Sequence, residues 1–246
     1  MSPDRYLRTF DILKLLAERG SPLRLTEIKQ ALDLPVSSLH NMLQTMVSAE
    51  VVIVDADLRY AIGPRTVSLA LRTVQSLDVR TLARRPLQEL AQAIGDDVYL
   101  GLRVGQRVLY ADRVLGTQRV SLDIRLGQPL MLHATATGKL FAACDPQLGA
   151  LALEGALPKA TPHTITSPQQ LQKEFARIAA AGYSKSDQES YEGVVGYAVP
   201  IRGSSQDVVA AVHVSVLANR ATKAHERVLL TATRQCAEQI EKLLGA

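Results

Sequence analysis

Three clusters of chain-breaking residues leave the first 65 residues little choice of fold. Gly20-Ser21-Pro22, Asp33-Leu34-Pro35 and Gly63-Pro64 cut this stretch into segments too short to be stable alone. Leu7, Phe10, Leu13 and Leu16/Ala17 recur at three-to-four spacing and predict one apolar helical face ending before Gly20. Leu25, Ile28 and Ala31/Leu32 repeat the pattern over barely two turns. Pro35 stands where a helix can begin without losing a hydrogen bond, and Leu39, Met42/Leu43 and Met46/Val47 predict a third helix after it. Residues 51–54 and 58–62 flank Asp55-Ala56-Asp57, a polar turn between two strands. Helix, short helix, tight turn, helix and hairpin is the order of a winged helix-turn-helix. It is equally the order of a plain helical cap with a hairpin, and pattern alone leaves both open.

The rest of the chain reads differently. Residues 66–80 predict a linker helix with Val67, Leu71 and Val74 on one side, and Pro86 interrupts the helical stretch beyond it. From Asp96 onward, β-branched runs alternate with alanine-rich helical segments. Residues 98–104 and 108–114 flank Gly105-Gln106, and residues 194–201 and 208–216 flank a second turn, so two hairpins are expected. Helices are expected near 136–144, 168–181 and 222–244. A mostly antiparallel sheet covered by helices is an α+β domain. The expected division is 1–65, 66–80 and 81–246, a mixed α/β chain as a whole.

Composition narrows the setting. Of 246 residues 47% are hydrophobic, enough for two cores and too many for a disordered chain. Cys144 and Cys236 stand 92 residues apart with no CxxC, which fits a reducing compartment. No leader pattern opens the chain, and the most apolar stretch, 208–217, is ten residues long and holds His213, so no membrane span and a cytoplasmic location are expected. Net charge is +4, but residues 1–65 carry eight basic and eight acidic side chains. Bulk charge therefore makes no case for a nucleic acid partner, and arrangement has to.

Ser37, Ser38, His40, Asn41, Gln44 and Thr45 lie off the apolar stripe of the third helix and form a polar, uncharged face. Asn and Gln match the donor–acceptor pair that adenine shows in the major groove. No Arg or Lys occurs between Lys29 and Arg59. A grip on phosphate would fall to serine hydroxyls, the helix N-terminus, and Arg24, Arg59 and Arg65. Ordinary solvated helix residues would look the same.

Leu25-Thr26-Glu27-Ile28, then Leu34 to Leu43 (LPVSSLHNML), then Arg59 to Pro64 (RYAIGP) resembles the N-terminal domain of the IclR family of bacterial transcription regulators. The resemblance runs on through Leu132 to Leu140 (LHATATGKL), Gly105 to Arg113 (GQRVLYADR), and Gly182-Tyr183-Ser184 through Glu192-Gly193 to Val199-Pro200. Val36 and Asn41 replace residues that are often lysine and arginine in relatives, which predicts a preference for A·T pairs opposite Asn41. Arg24 replaces a hydroxyl helix cap, which predicts a later start or lower stability for the second helix.

The resemblance implies a GAF/profilin-like C-terminal domain that binds a small effector. It also implies a linker that supports dimerisation, a dimer or dimer-of-dimers on a pseudo-palindromic operator, and repression of catabolic genes. By position, the family's pocket falls on Ala136, Thr137, Ser186, Asp187, Val194, Gly196, His213 and Ser215. Period-two spacing puts His213 and Ser215 on one sheet face. Gly196 and Ser186 are smaller than the family's residues and predict a larger or less charged pocket. His213 replaces a small hydroxyl and adds a switchable donor. Together these point to an anion larger than a two- or three-carbon acid, such as an aromatic carboxylate or its derivative. For His213 a satisfied core histidine is the competing reading, for Asp187 and Ser186 a loop hydrogen bond, and for Thr135 and Thr137 a helix cap.

No GxSxG, HExxH or GxGxxG occurs, and the five histidines show no metal-ligand pairing. Gly138-Lys139 resembles the end of a phosphate loop, but His133 stands at its first glycine and Leu140 where Ser or Thr would hold magnesium. The sequence therefore points to a DNA-binding, effector-responsive regulator without cofactor or metal. The alternative is a small-molecule sensor acting through protein contacts.

Overall fold

The structure is a computed structural model and describes residues 4–75, 78–118, 124–155 and 157–245. The chain divides into two units, Met1–Leu77 and Asp78–Ala246. The expected linker, 66–80, spans the end of one helix and the start of the next, and the side chain of Val74 lies outside the described residues.

In the first unit α1 (Asp4–Arg19), α2 (Leu25–Leu32) and α3 (Val36–Ser48) precede β2 (Val52–Val54) and β3 (Arg59–Ile62). A two-residue strand, β1 (Leu23–Arg24), adds to β3, giving an antiparallel sheet in the order β1-β3-β2. Ile12, Leu16, Ile28, Leu39, Leu43 and Val52 anchor one shared core. The stripe expected on α1 holds only in part: Leu16 is buried and Leu13 packs half-buried on the core, but Leu7 and Phe10 are 63% and 71% exposed, and Ile12 is buried in their place. Half of the α1 residues are apolar, so its packing against α2 and β3 decides which face is inside. The α2 start also differs from expectation. The helix begins at Leu25 because the Glu27 carboxylate accepts the Arg24 backbone N–H at 2.7 Å, supplying the half of a capping box that needs no hydroxyl. After β3, α4 (Pro64–Gln75) closes the unit.

In the second unit β4 (Asp97–Val104), β5 (Arg107–Val114), β6 (Ser184–Asp187), β7 (Val194–Arg202) and β8 (Val208–Leu217) form an antiparallel sheet in the order β5-β4-β8-β7-β6. The helices α5 (Asp78–Ile94) and α9 (Lys223–Leu243) pack on each other and on β4, β7 and β8. Across the sheet α6 (Ala136–Cys144) lies on β7 and β8, with α7 (Pro146–Leu153) and α8 (Pro168–Ala181) outside it. Pro86 does not interrupt α5. The helix runs through it, because burial of Ala83, Leu87, Leu90 and Ala91 outweighs the roughly 3 kcal/mol that an internal proline costs. Asp145 ends α6 and caps α7, accepting the N–H groups of Gln147 and Leu148 while pairing with Arg103.

Candidate effector cavity and DNA-contact face

On α3, the buried stripe of Leu39, Met42, Leu43 and Met46 turns Ser37, His40, Asn41 and Gln44 outward, with Ser38 half-buried. Pro35 makes no side-chain cap, so the first N–H groups of α3 are left for an outside acceptor such as phosphate. Arg24 and Arg59 face each other across β1 and β3, both exposed. Two like charges directly opposite on a sheet repel. A polyanion would relieve that repulsion.

In the second unit a cavity of about 90 Å³ opens between the sheet and the N-terminal end of α6. Of the eight residues expected at a pocket, Ala136, Ser186, Val194, Gly196, His213 and Ser215 line it. Thr137 does not: it is fully buried and donates to the Tyr110 hydroxyl at 3.2 Å. Asp187 is exposed and pairs with Lys185 at 3.3 Å. Both sit beside the cavity in sequence but point away, Thr137 one helical position past Ala136 and Asp187 one strand position past Ser186.

Sequence reasoning missed the rest of the wall. Ile124, Pro129, Leu130 and Met131 supply an apolar side from the segment ahead of α6. Ser190 and Tyr191 come from the loop after β6, and Tyr110 from β5. The β5 contribution could have been read from alternation along residues 107–110, whereas the loop carried no signal. Thr135 also borders the cavity, but its hydroxyl caps α6, accepting from the Gly138 N–H at 3.0 Å and donating to the Met131 carbonyl.

Two departures change meaning here. Gly196 does not enlarge the cavity, because a Cβ there would stand 2.7 Å from His213 Cε1: the imidazole occupies the space. Nor is His213 a charge switch. It is 4% exposed, its ring lies tilted against Tyr110 at 5.1 Å and edge-on to Tyr99 at 5.7 Å between centroids, and burial pushes its pKa down to about 3. It remains a neutral imidazole with one donor and one acceptor. His213 Nδ1 and Ser215 Oγ are buried and have no hydrogen-bond partner among the described residues. Ser186, by contrast, is satisfied by the Ala134 carbonyl at 2.7 Å.

The loop that brings Tyr191 to the cavity is pinned from below. Lys139, 1% exposed, holds Glu189 at 2.5 Å and Glu174 at 3.4 Å. Thr161 and Thr164 donate to the Gln188 and Glu189 carbonyls, each at 2.7 Å. Burial raises the Glu189 carboxyl above its ordinary range against the opposing pull of Lys139. Among the described residues no cluster of three metal-ligating side chains occurs, and no helix is long and apolar enough to cross a membrane.

Residues 7–55 match the IclR helix-turn-helix domain and residues 71–242 the IclR C-terminal domain of bacterial transcriptional regulators. The chain is 29% identical to the HTH-type transcriptional regulator XynR of Escherichia coli, over 97% of this chain and 96% of that one. It is 30% identical to the glycerol operon regulatory protein of Streptomyces coelicolor, over 97% and 95%. An IclR homologue from Microbacterium hydrocarbonoxydans, solved with 4-hydroxybenzoate, superposes with a TM-score of 0.86 at 25% identity, covering 98% of both chains. Two domain matches spanning nearly the whole chain, on a helix-turn-helix unit and an α+β unit, place this protein in the IclR family: it is a DNA-binding transcriptional regulator and not an enzyme.

Proposed function

We propose that this regulator is a cytoplasmic repressor of catabolic genes that binds an aromatic carboxylate, or a close derivative, in the cavity above β8. The observation that carries the reading is a pair of buried polar atoms without a partner among the described residues, His213 Nδ1 and Ser215 Oγ, on residues that line a cavity walled also by Tyr110, Pro129, Leu130 and Met131. A flat ring fits between the aromatic and aliphatic walls, and its polar head finds the unpaired atoms. Ala136 brings the positive end of the α6 dipole to the same wall, which favours a carboxylate. The 4-hydroxybenzoate bound by the Microbacterium homologue is a ligand of this class.

For DNA, the reading gives base contacts to Ser37, Ser38, His40, Asn41 and Gln44, with an A·T preference opposite Asn41, and phosphate contacts to Arg24 and Arg59. Residues 1–65 would bind DNA, 66–80 would link, and 81–246 would bind effector and assemble a dimer or a dimer of dimers on a pseudo-palindromic operator. A thermal-shift panel of two- and three-carbon acids against benzoate, 4-hydroxybenzoate and their amides tests the ligand. Aromatic members at 100 times their dissociation constant should add about 2.7 kcal/mol of stability, and the gain should vanish in His213→Ala. A response to the short acids alone would overturn the aromatic reading. For the operator, the same chain should shift DNA from upstream of its own gene in the presence of excess competitor.

A further inference from the structure

Tyr110 and Asp112 are two residues apart on β5, and in a regular strand they would face the same side. They do not. Gly101 pairs with Tyr110 and Leu100 with Asp112, so Ala111 has no opposite residue and forms a β-bulge. Gly101 lies on the α6 side, since a Cβ there would collide with Thr137 Cγ2. Its partner Tyr110 therefore points to the cavity, and Asp112, paired with Leu100, points through to the α5 side.

There Asp112 is 4% exposed and is held by the first two turns of α5. Arg84 donates to its Oδ1 at 2.7 Å, and Arg80 Nε stands 3.7 Å from Oδ2. Arg80 also donates to the carbonyl of the bulged Ala111 at 3.2 Å, and Arg84 to that of Arg113 at 3.4 Å. On the cavity side the same stretch is tied to the ligand wall. Thr137 donates to the Tyr110 hydroxyl, the Gly127 N–H donates to the Tyr110 carbonyl at 2.9 Å, and Leu109 bridges to Pro129. Three consecutive β5 residues thus join the cavity to the start of α5, which is separated from the end of α4 by two residues of the chain.

We propose that the Ala111 bulge, clasped by Arg80 and Arg84, is the element that carries effector occupancy from the cavity to the N-terminal turns of α5, and so toward the DNA-binding unit. The proposal rests on the reading of the cavity as the effector site. A bulge suits the task because the residue left out of the ladder can shift without breaking strand pairing on either side. A ligand against Tyr110 or Pro129 displaces it, and the arginine clasp passes the displacement to α5. The ligand acts only insofar as it binds the shifted and unshifted bulge with different affinity.

The test uses the full chain and needs no ligand at first. Hydrogen–deuterium exchange over residues 78–84 is compared in wild type, Tyr110→Phe, Asp112→Asn and the double variant, with α9 amides as the internal reference for global stability. Tyr110→Phe alters only the cavity side, yet it should change exchange at 78–84 at least threefold relative to α9. Adding Asp112→Asn should abolish that difference. Then 4-hydroxybenzoate is added: the same amides should move in wild type and stay still in Asp112→Asn, whose affinity for the probe should remain within threefold. Unmoved amides in Tyr110→Phe, or a full ligand response in Asp112→Asn, overturn the proposal. If the ligand-free coupling is seen but 4-hydroxybenzoate does not bind, the coupling stands and the aromatic-effector reading is what falls. Should Asp112→Asn not fold, Arg84→Gln removes the clasp from its half-exposed side and is read the same way.

Discussion

His213 shows how burial sets a residue's chemistry. In the unfolded chain an imidazole titrates near 6.5, whereas the folded cavity holds His213 neutral down to about pH 3. The unfolded state therefore binds the extra proton first as pH falls. The stability that neutral His213 contributes is complete above about pH 6.5 and is lost progressively below it, by up to about 1.4 kcal/mol per pH unit. Urea unfolding at pH 7.5 and 5.5 should show this loss in wild type and a flatter profile in His213→Gln; equal losses would assign the acid limb to other groups. Arg24 and Arg59 make the opposite case, since their value lies outside the folded chain. Their repulsion across β1 and β3 predicts that Arg24→Ala or Arg59→Ala leaves folding stability unchanged or slightly higher. Each should reduce the slope of log affinity against log salt by about 0.9 per DNA-binding unit bound to the operator. Anisotropy titrations between 50 and 200 mM salt check this, as an order-of-magnitude range for phosphate contacts.

At the scale of elements, the loop after β6 depends on a buried charge. Lys139 is fixed on α6, its carboxylate partner Glu189 on the loop, and both are nearly inaccessible. Removing one partner leaves the other charged and buried, so Lys139→Met should cost about 3–5 kcal/mol, measured by urea denaturation, while Lys139→Met with Glu189→Leu should recover most of it. A single variant as stable as wild type would show that the pair is solvated. The same lysine shows how far local pattern reaches. The Gly138-Lys139 step resembles the end of a phosphate loop, and His133 at the first glycine together with Leu140 at the hydroxyl position rejects it. What Lys139 does instead was not legible, because Glu189 lies 50 residues away. Helices α6 and α8 were legible to the residue, since Thr135 and Ser167 cap them locally and Pro168 starts the second. The α1 face and the passage of α5 through Pro86 were not, because in both a packing partner outweighs local preference.

For the whole molecule, a symmetric pair of chains on DNA would set two α3 helices about 34 Å apart, one helical turn. Binding to an operator series with altered spacing should therefore collapse to half-site affinity when about half a turn is inserted, as a gel shift would show. Retained affinity would mean that the two DNA-binding units engage independently. At this scale the division between sequence and structure becomes clear. The chain's order of breakers, stripes and caps determined the short helices and hairpin of the first unit, the two long hairpins of the second and the polar face of α3, because those features depend on residues within a few turns of one another; a winged helix-turn-helix was told from a plain helical cap only by the family resemblance. The family resemblance carried over six residues that line the cavity, and alternation along one strand put His213 and Ser215 on the same face. Only the tertiary structure decided that the His213 ring fills the space beside Gly196, that Thr137 and Asp187 face away from the cavity, and that one unpaired residue, Ala111, turns Tyr110 and Asp112 to opposite faces of the sheet. Each of these depends on strand register and helix packing between segments far apart in the chain, where a one-residue shift exchanges the two faces.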